Sequence, residues 1–365
     1  MRFCFGAVIS AAVMCFSGLA AGAQSGEVEV TARLCFDTEL DNARAPRALP
    51  LGNGIMFSDW TRTLYTLSLE DGTATPVLEG LSDEVFNLSV SADESVVLVR
   101  FEDRSFQAHD LATGTLMSAM GPHRGYLRET IINADGSRAM SRDANLVGAL
   151  WDVAAGTEIV TFVPPQNPVS AFAFSEDGTM AVVGVGNGVL YYDAGAGERL
   201  HSYEFAEIAD HIVHVQFFDA DHSILVFSRG EVRIINHSEG RLLRSWAAEP
   251  EFALVNVVAS LNHAYLAYDD TSSVYVHNLA TGEVLHRLDH EDSVQRLRMD
   301  ATGARLVSAG QDATVRLWDS ETGEELARFL AHEGVVSDAR VLPGDDAVLS
   351  LGSDDQICVF DIPAQ

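Results

Sequence analysis

A polar residue, three turn residues and a glycine recur along this 365-residue chain at an almost constant interval. The copies begin at Ser68, Asp110, Asp152, Asp193, Asn236, Asn278 and Asp319, each with glycine four residues on, and Asp361 opens an eighth. The steps between them are 42, 42, 41, 43, 42, 41 and 42 residues. Self-similarity held that tightly calls for a series of equivalent units, not one irregular core. The turn chemistry is consistent: Asp or Asn accepts from backbone N–H groups two residues on, and glycine tolerates positive φ. Short apolar or alternating segments enter and leave each turn, such as residues 314–318 before Asp319 and 324–329 after Gly323. A second turn class falls midway, at residues 133–136, 175–178 and 300–303. Each period therefore holds four short strands and no room for a long helix. Four-stranded antiparallel sheets repeating at this length are the blades of an all-β propeller.

The best copy runs His290, Asp300 to Gly303, Leu306 to Gly310, Asp312, then Arg316-Leu-Trp-Asp319. On these residues the chain resembles the WD-repeat family. In that family His, Ser or Thr, Asp and Trp form a structural hydrogen-bonded tetrad. The resemblance assigns those roles to His290, Ser308, Asp312 and Trp318. It assigns His332, Ser350 and Asp354 in the last copy, with Phe360 replacing the indole, and His123, Ser141, Asn145 and Trp151 in an earlier one. The copies ending at Asn236 and Asn278 lack the Trp-Asp pair and most of the tetrad. The resemblance implies the fold and leaves function open.

Eight such units fill nearly all of residues 24–365. The last copy stops after its third strand, so ring closure needs a fourth strand from the N-terminus. Residues 26–36 are expected to provide it, with residues 26–30 matching the start of the fourth strand after Gly282. Seven blades with residues 24–72 appended is the alternative. The first blade is the weakest, because Pro46 and Pro50 fall where a strand is needed. Closure would bring Cys35 and Cys358 into the same blade. The expected alignment leaves Cys35 about five residues out of register, so a disulfide and two separate thiols both remain open. In chain-entropy terms such a bond would be worth roughly 4–5 kcal/mol.

Residues 1–23 have the layout of a cleavable secretory leader. Arg2 precedes an uncharged run from Phe3 to Leu19, and Ala21 and Ala23 supply small residues before a cleavage point. Residues 24–365 are then one exported propeller, in the periplasm or secreted, with no membrane insertion after cleavage.

Composition excludes several chemistries. Lys+Arg number 23 against 53 Asp+Glu, a net charge of −30, which disfavours nucleic acid and anionic lipid. Every basic residue is arginine. No lysine Schiff base or P-loop lysine can form. His211 and His214, three apart on a strand, would point to opposite faces, a poor arrangement for one metal. The pairs Asp269-Asp270, Asp345-Asp346 and Asp354-Asp355 are read as solvated turns. Sequons start at Asn87 and Asn236. No Gly-x-Ser-x-Gly elbow, phosphate loop or zinc-type cysteine pair is present, so no catalytic residue, cofactor or metal ligand is nominated. The expectation is a non-catalytic scaffold whose acidic, polar rim binds a protein or peptide. The alternatives are a hydrolase or oxidoreductase with acidic residues in the central channel, and a sensor of a ligand or cation.

Overall fold

A computed structural model describes residues 29–37, 44–48, 54–58 and 62–363, apart from 71, 122, 124, 163–167, 206, 207, 209, 248–255, 261, 263, 301, 331, 343, 345 and 355. The expected leader, Pro50, Asp345 and Asp355 lie outside the described residues. Within them every regular element is a β-strand, and the strands form eight sheets. The protein is an eight-bladed β-propeller. Blades 1 to 7 are meanders of four consecutive antiparallel strands; blade 2 runs Val85–Val90, Val96–Phe101, Phe106–Asp110 and Leu116–Met120. The repeated turn joins the third and fourth strands. At Asp319 the carboxylate accepts from the backbone N–H groups of Glu321 (2.9 Å) and Thr322 (2.7 Å). Gly323 follows at φ 73°, and a Cβ there would lie 2.5 Å from the His286 ring of the previous blade. Glycine is needed for both the turn and the close approach.

The apolar residues form eight clusters, and each spans two neighbouring blades. Val307, Leu317 and Phe329 of blade 7 pack on Val336, Val348 and Phe360 of blade 8. Ile55, Phe57 and Leu67 of blade 1 pack on Leu349, Leu351 and Val359 of blade 8. This last wedge closes the ring and decides for eight blades over seven. A sheet with two apolar faces hides neither alone, so burial comes from its neighbours.

Blade 8 combines Val336–Val341, Ala347–Gly352 and Gln356–Asp361 with Leu34–Asp37 from the other end of the chain. The expected register is corrected here. Glu29–Val30 does not close blade 8; it lies parallel to Glu325–Leu330 on the outside of blade 7. The chain then crosses to blade 8, and the closing strand starts only at Leu34. That shift places Cys35 directly opposite Cys358, and the two are joined as a disulfide over 323 residues. Arg33 adds its N–H to the Val359 carbonyl (2.8 Å) and an exposed ion pair to Asp361 (2.6 Å). Blade 1 accommodates Pro46 within Arg44–Ala48 by a register shift between Arg44 and Arg47. This is the innermost strand, with one edge unpaired, so proline can be tolerated there.

The ring-closing bond is expected to contribute about 2–5 kcal/mol. Urea unfolding of Cys35→Ser, and of the wild-type chain with and without reductant, measures it. Equal midpoints in all three would show that closure does not depend on the bond.

Candidate binding surface at the central channel

Three histidine-serine networks tie the loop entering an inner strand to the turn beside it on the same rim. In blade 7, His290 Nε2 lies 2.6 Å from Ser308 Oγ, and the Trp318 indole donates to that oxygen at 2.8 Å. His290 Nδ1 lies 3.2 Å from Asp312, which also accepts from Thr314 and Arg316. Burial raises the Asp312 pKa, but the hydrogen bonds from His290 and Thr314 outweigh it and hold the carboxyl far below the usual range. In blade 8, His332 bonds Ser350 (2.6 Å) and Asp354 (2.9 Å), while Phe360 packs on the Phe329 ring with centroids 4.9 Å apart. In blade 3, His123 and Trp151 both reach Ser141, at 2.8 and 2.7 Å. There Asp143, not Asn145, is the anchoring side chain: it accepts the N–H groups of Gly125 and of Asn145.

The strands positioned by these loops surround the axis. The inner strands of blades 1 to 8 are Arg44–Ala48, Val85–Val90, Leu127–Ile132, Val169–Phe174, Ile212–Phe217, Val257–Ala259, Val294–Met299 and Val336–Val341. They carry six arginines, at positions 44, 47, 128, 296, 298 and 340, against two carboxylates, Glu129 and Asp338. In a chain of net charge −30, the described inner strands thus carry an excess of arginine. Seven of these strands begin with a register shift after their first residue. The bulge turns the strand start at the channel mouth, where Phe86, Arg128, Gln295 and Ser337 are exposed.

Blades 2 and 3 add an aromatic component to this rim. Phe86 is 50% exposed and Tyr126 61% exposed. The Arg100 guanidinium lies 4.7 Å over the Phe86 ring, and that of Arg104 4.7 Å over Tyr126. Arg104 belongs to the turn after Phe101, and its carbonyl accepts the His123 N–H. The platform is thus held by the same loop as the blade 3 network.

Residues 282–319, which hold all four polar and aromatic members of the blade 7 network, match the family described as WD domain, G-beta repeat. The repeat at 282–319 is thus similar to that family, and the eight blades around it form a WD-repeat-like β-propeller. The human angio-associated migratory cell protein is 24% identical over 231 residues, covering 58% of this chain and 52% of that protein. The chain thus spans about half the length of that relative. The rat serine-threonine kinase receptor-associated protein is 22% identical over 247 residues, covering 67% and 68%. Among solved structures, Saccharomyces cerevisiae Sqt1 superposes with a TM-score of 0.74 at 15% identity, and the C-terminal WD40 domain of Sif2 with 0.77 at 16%. Each covers 93% of this chain and 100% of the other, and shows the fold alone.

The WD-repeat pattern is replaced where the motif fades. In blade 6 the Tyr268 hydroxyl pairs with His277 at 2.7 Å, and in blade 5 His237 lies 3.1 Å from Ser223 and stacks on Tyr191. Motif reasoning missed both, because neither keeps the spacing. Asp269 also departs from its reading as a solvated turn residue. It is fully buried, accepts the Asn256 N–H at 2.8 Å, and is pushed up to about 6 by burial. The acid of its turn pair that meets solvent is Asp270. His214 lies on the inner strand of blade 5, where burial pushes it down to about 4, and His211 precedes that strand beside Asp210. Among the described residues no three His, Cys, Asp or Glu side chains are grouped to hold a metal, and no helix is long and apolar enough to cross a membrane. Asn236 of the second sequon is buried and caps its turn through the Glu239 N–H at 2.7 Å.

Ser308→Ala leaves His290 Nε2 and the Trp318 indole N–H buried without their shared partner. A loss of about 2–4 kcal/mol is expected, measured by urea unfolding. Asp312→Asn is expected to destabilise most at neutral pH. A carboxyl depressed on folding stabilises above its unfolded pKa, about 3.9, and that contribution disappears as pH falls towards the folded value. The gap between wild-type and Asp312→Asn midpoints should therefore shrink below about pH 4. A gap that widens on acidification would contradict this assignment.

Proposed function

We propose that this WD-repeat propeller is an exported, non-catalytic scaffold that grips a segment of a protein or peptide partner on its channel-side rim. The observation carrying this reading is the pair of exposed aromatic rings, Phe86 and Tyr126, each under a guanidinium. Aromatic and arginine side chains dominate interface energetics because they bury large rigid areas at modest entropic cost. Here they are already ordered by the neighbouring loops, which lowers the cost of binding. The Arg104 guanidinium over Tyr126 also favours acidic or aromatic residues on the partner, whereas the buried Arg100 only backs the Phe86 ring.

Two further observations support the reading. WD-repeat relatives point to protein interaction, and one is named for association with a serine-threonine kinase receptor. Export is supported by the leader-like residues 1–23 and by Cys35 and Cys358, whose bond would persist in an oxidising compartment. The net charge disfavours a nucleic-acid partner.

The mature chain, used as bait on the exported fraction, is expected to capture a partner that a Phe86→Ala/Tyr126→Ala variant retains at least about tenfold less well. N-terminal sequencing of the exported protein is expected to begin at Gln24. Equal capture by both baits would overturn the rim assignment. Substrate turnover by the purified chain would overturn the non-catalytic one.

A further inference from the structure

We propose that the central channel holds a doubly charged oxyanion, of the phosphate or dicarboxylate class, among Arg296, Arg298 and Arg340. The site follows from a local charge count. Asp338 on the inner strand of blade 8 faces three guanidiniums: Arg298 Nη2 at 3.2 Å, Arg340 Nη2 at 3.3 Å and Arg296 Nε at 3.9 Å. Burial raises the Asp338 pKa, but Arg298 and Arg340 outweigh it, so the carboxylate stays ionised. Three positive charges meet one negative charge, and the excess is two.

This excess is unusual within the molecule. The buried Arg316 lies 3.1 Å from Asp312 and 3.6 Å from Glu325. Arg233 lies 2.7 Å from Glu231 and covers the Phe205 ring. With 53 carboxylates in the chain, acids to neutralise the channel trio are abundant, yet among the described residues Asp338 is the one paired with it. Clustered guanidiniums repel one another, and the protein walls weaken screening by water. Burial lowers the Arg340 pKa and repulsion from Arg298 adds to that, while Asp338 opposes it.

Directional capacity is also in place. The Nε–H groups of Arg298 and Arg340 are buried and find no hydrogen-bond partner among the described residues. A guanidinium edge presents parallel N–H donors at the spacing of two oxyanion oxygens. A dianion with several oxygens would take up these donors and cancel the excess charge. Chloride would offer neither the second charge nor the forked geometry.

The inference rests on the channel residues and not on the rim reading. A free anion and an acidic side chain reaching down from a rim-bound partner share this chemistry. Calorimetry on the full mature chain at constant ionic strength, with inorganic phosphate and succinate as probes, tests it. Wild type is expected to bind at least one of them. Arg298→Gln, at a half-exposed position, should weaken that binding at least tenfold. Asp338→Asn, which removes the built-in competitor, should strengthen it by about tenfold. Structural roles alone predict no such opposite signs. A hexaglutamate peptide distinguishes the sources: binding that Phe86→Ala/Tyr126→Ala also weakens means delivery by a partner, and phosphate binding indifferent to that variant means a free anion. Either supports the site. Equal affinity of wild type and Arg298→Gln, or no binding of either small probe by wild type and Asp338→Asn, would overturn it.

Discussion

Burial between blades is the constraint on which the rest of this structure depends. Every sheet presents apolar residues on both faces, and every core cluster is shared by two sheets. No blade has a private core. Removing one blade would therefore expose two faces, one on each neighbour, and an open ring would leave two faces wet. At about 25 cal/mol per Å² of apolar surface, such exposure is prohibitive beside the marginal stability of a domain. Closure is thus a thermodynamic requirement. The chain meets it by joining residues 34–37 to residues 356–361.

The polar networks act on top of this burial, at one rim. Ser308, Ser141 and Ser350 each anchor a histidine beneath the loop that starts an inner strand. Those loops fix where the bulged strand starts emerge, and so fix the side chains around the channel mouth. Blades 5 and 6 reach a similar end with His237 and with the Tyr268–His277 pair. Stability and presentation of the surface are consequently coupled, since the same serine hydroxyls serve both.

Much of the architecture was legible in the sequence because the period is carried by turn residues whose backbone demands are strict. Asp319 and Gly323 announce a turn whatever surrounds them. Register at the closing blade was not legible, since it depends on Glu29–Val30 docking in parallel on blade 7, a tertiary event with no local signal. The burial of Asp269 was hidden for the same reason: its pairing with the Asn256 N–H joins residues 13 apart. The arginine excess of the inner strands was not legible either. Composition reports the average over the whole surface, whereas the inner strands contribute a handful of side chains to one narrow lining.

The seam between the chain ends has a bearing on how the molecule comes into being. Strand 34–37 is synthesised more than 300 residues before its neighbour, Gln356–Asp361. Throughout translation the first blade lacks the eighth, and the early strand has no edge to join. Contacts of such sequence separation form slowly. Blade 1 therefore keeps one apolar face open until both seam strands are present.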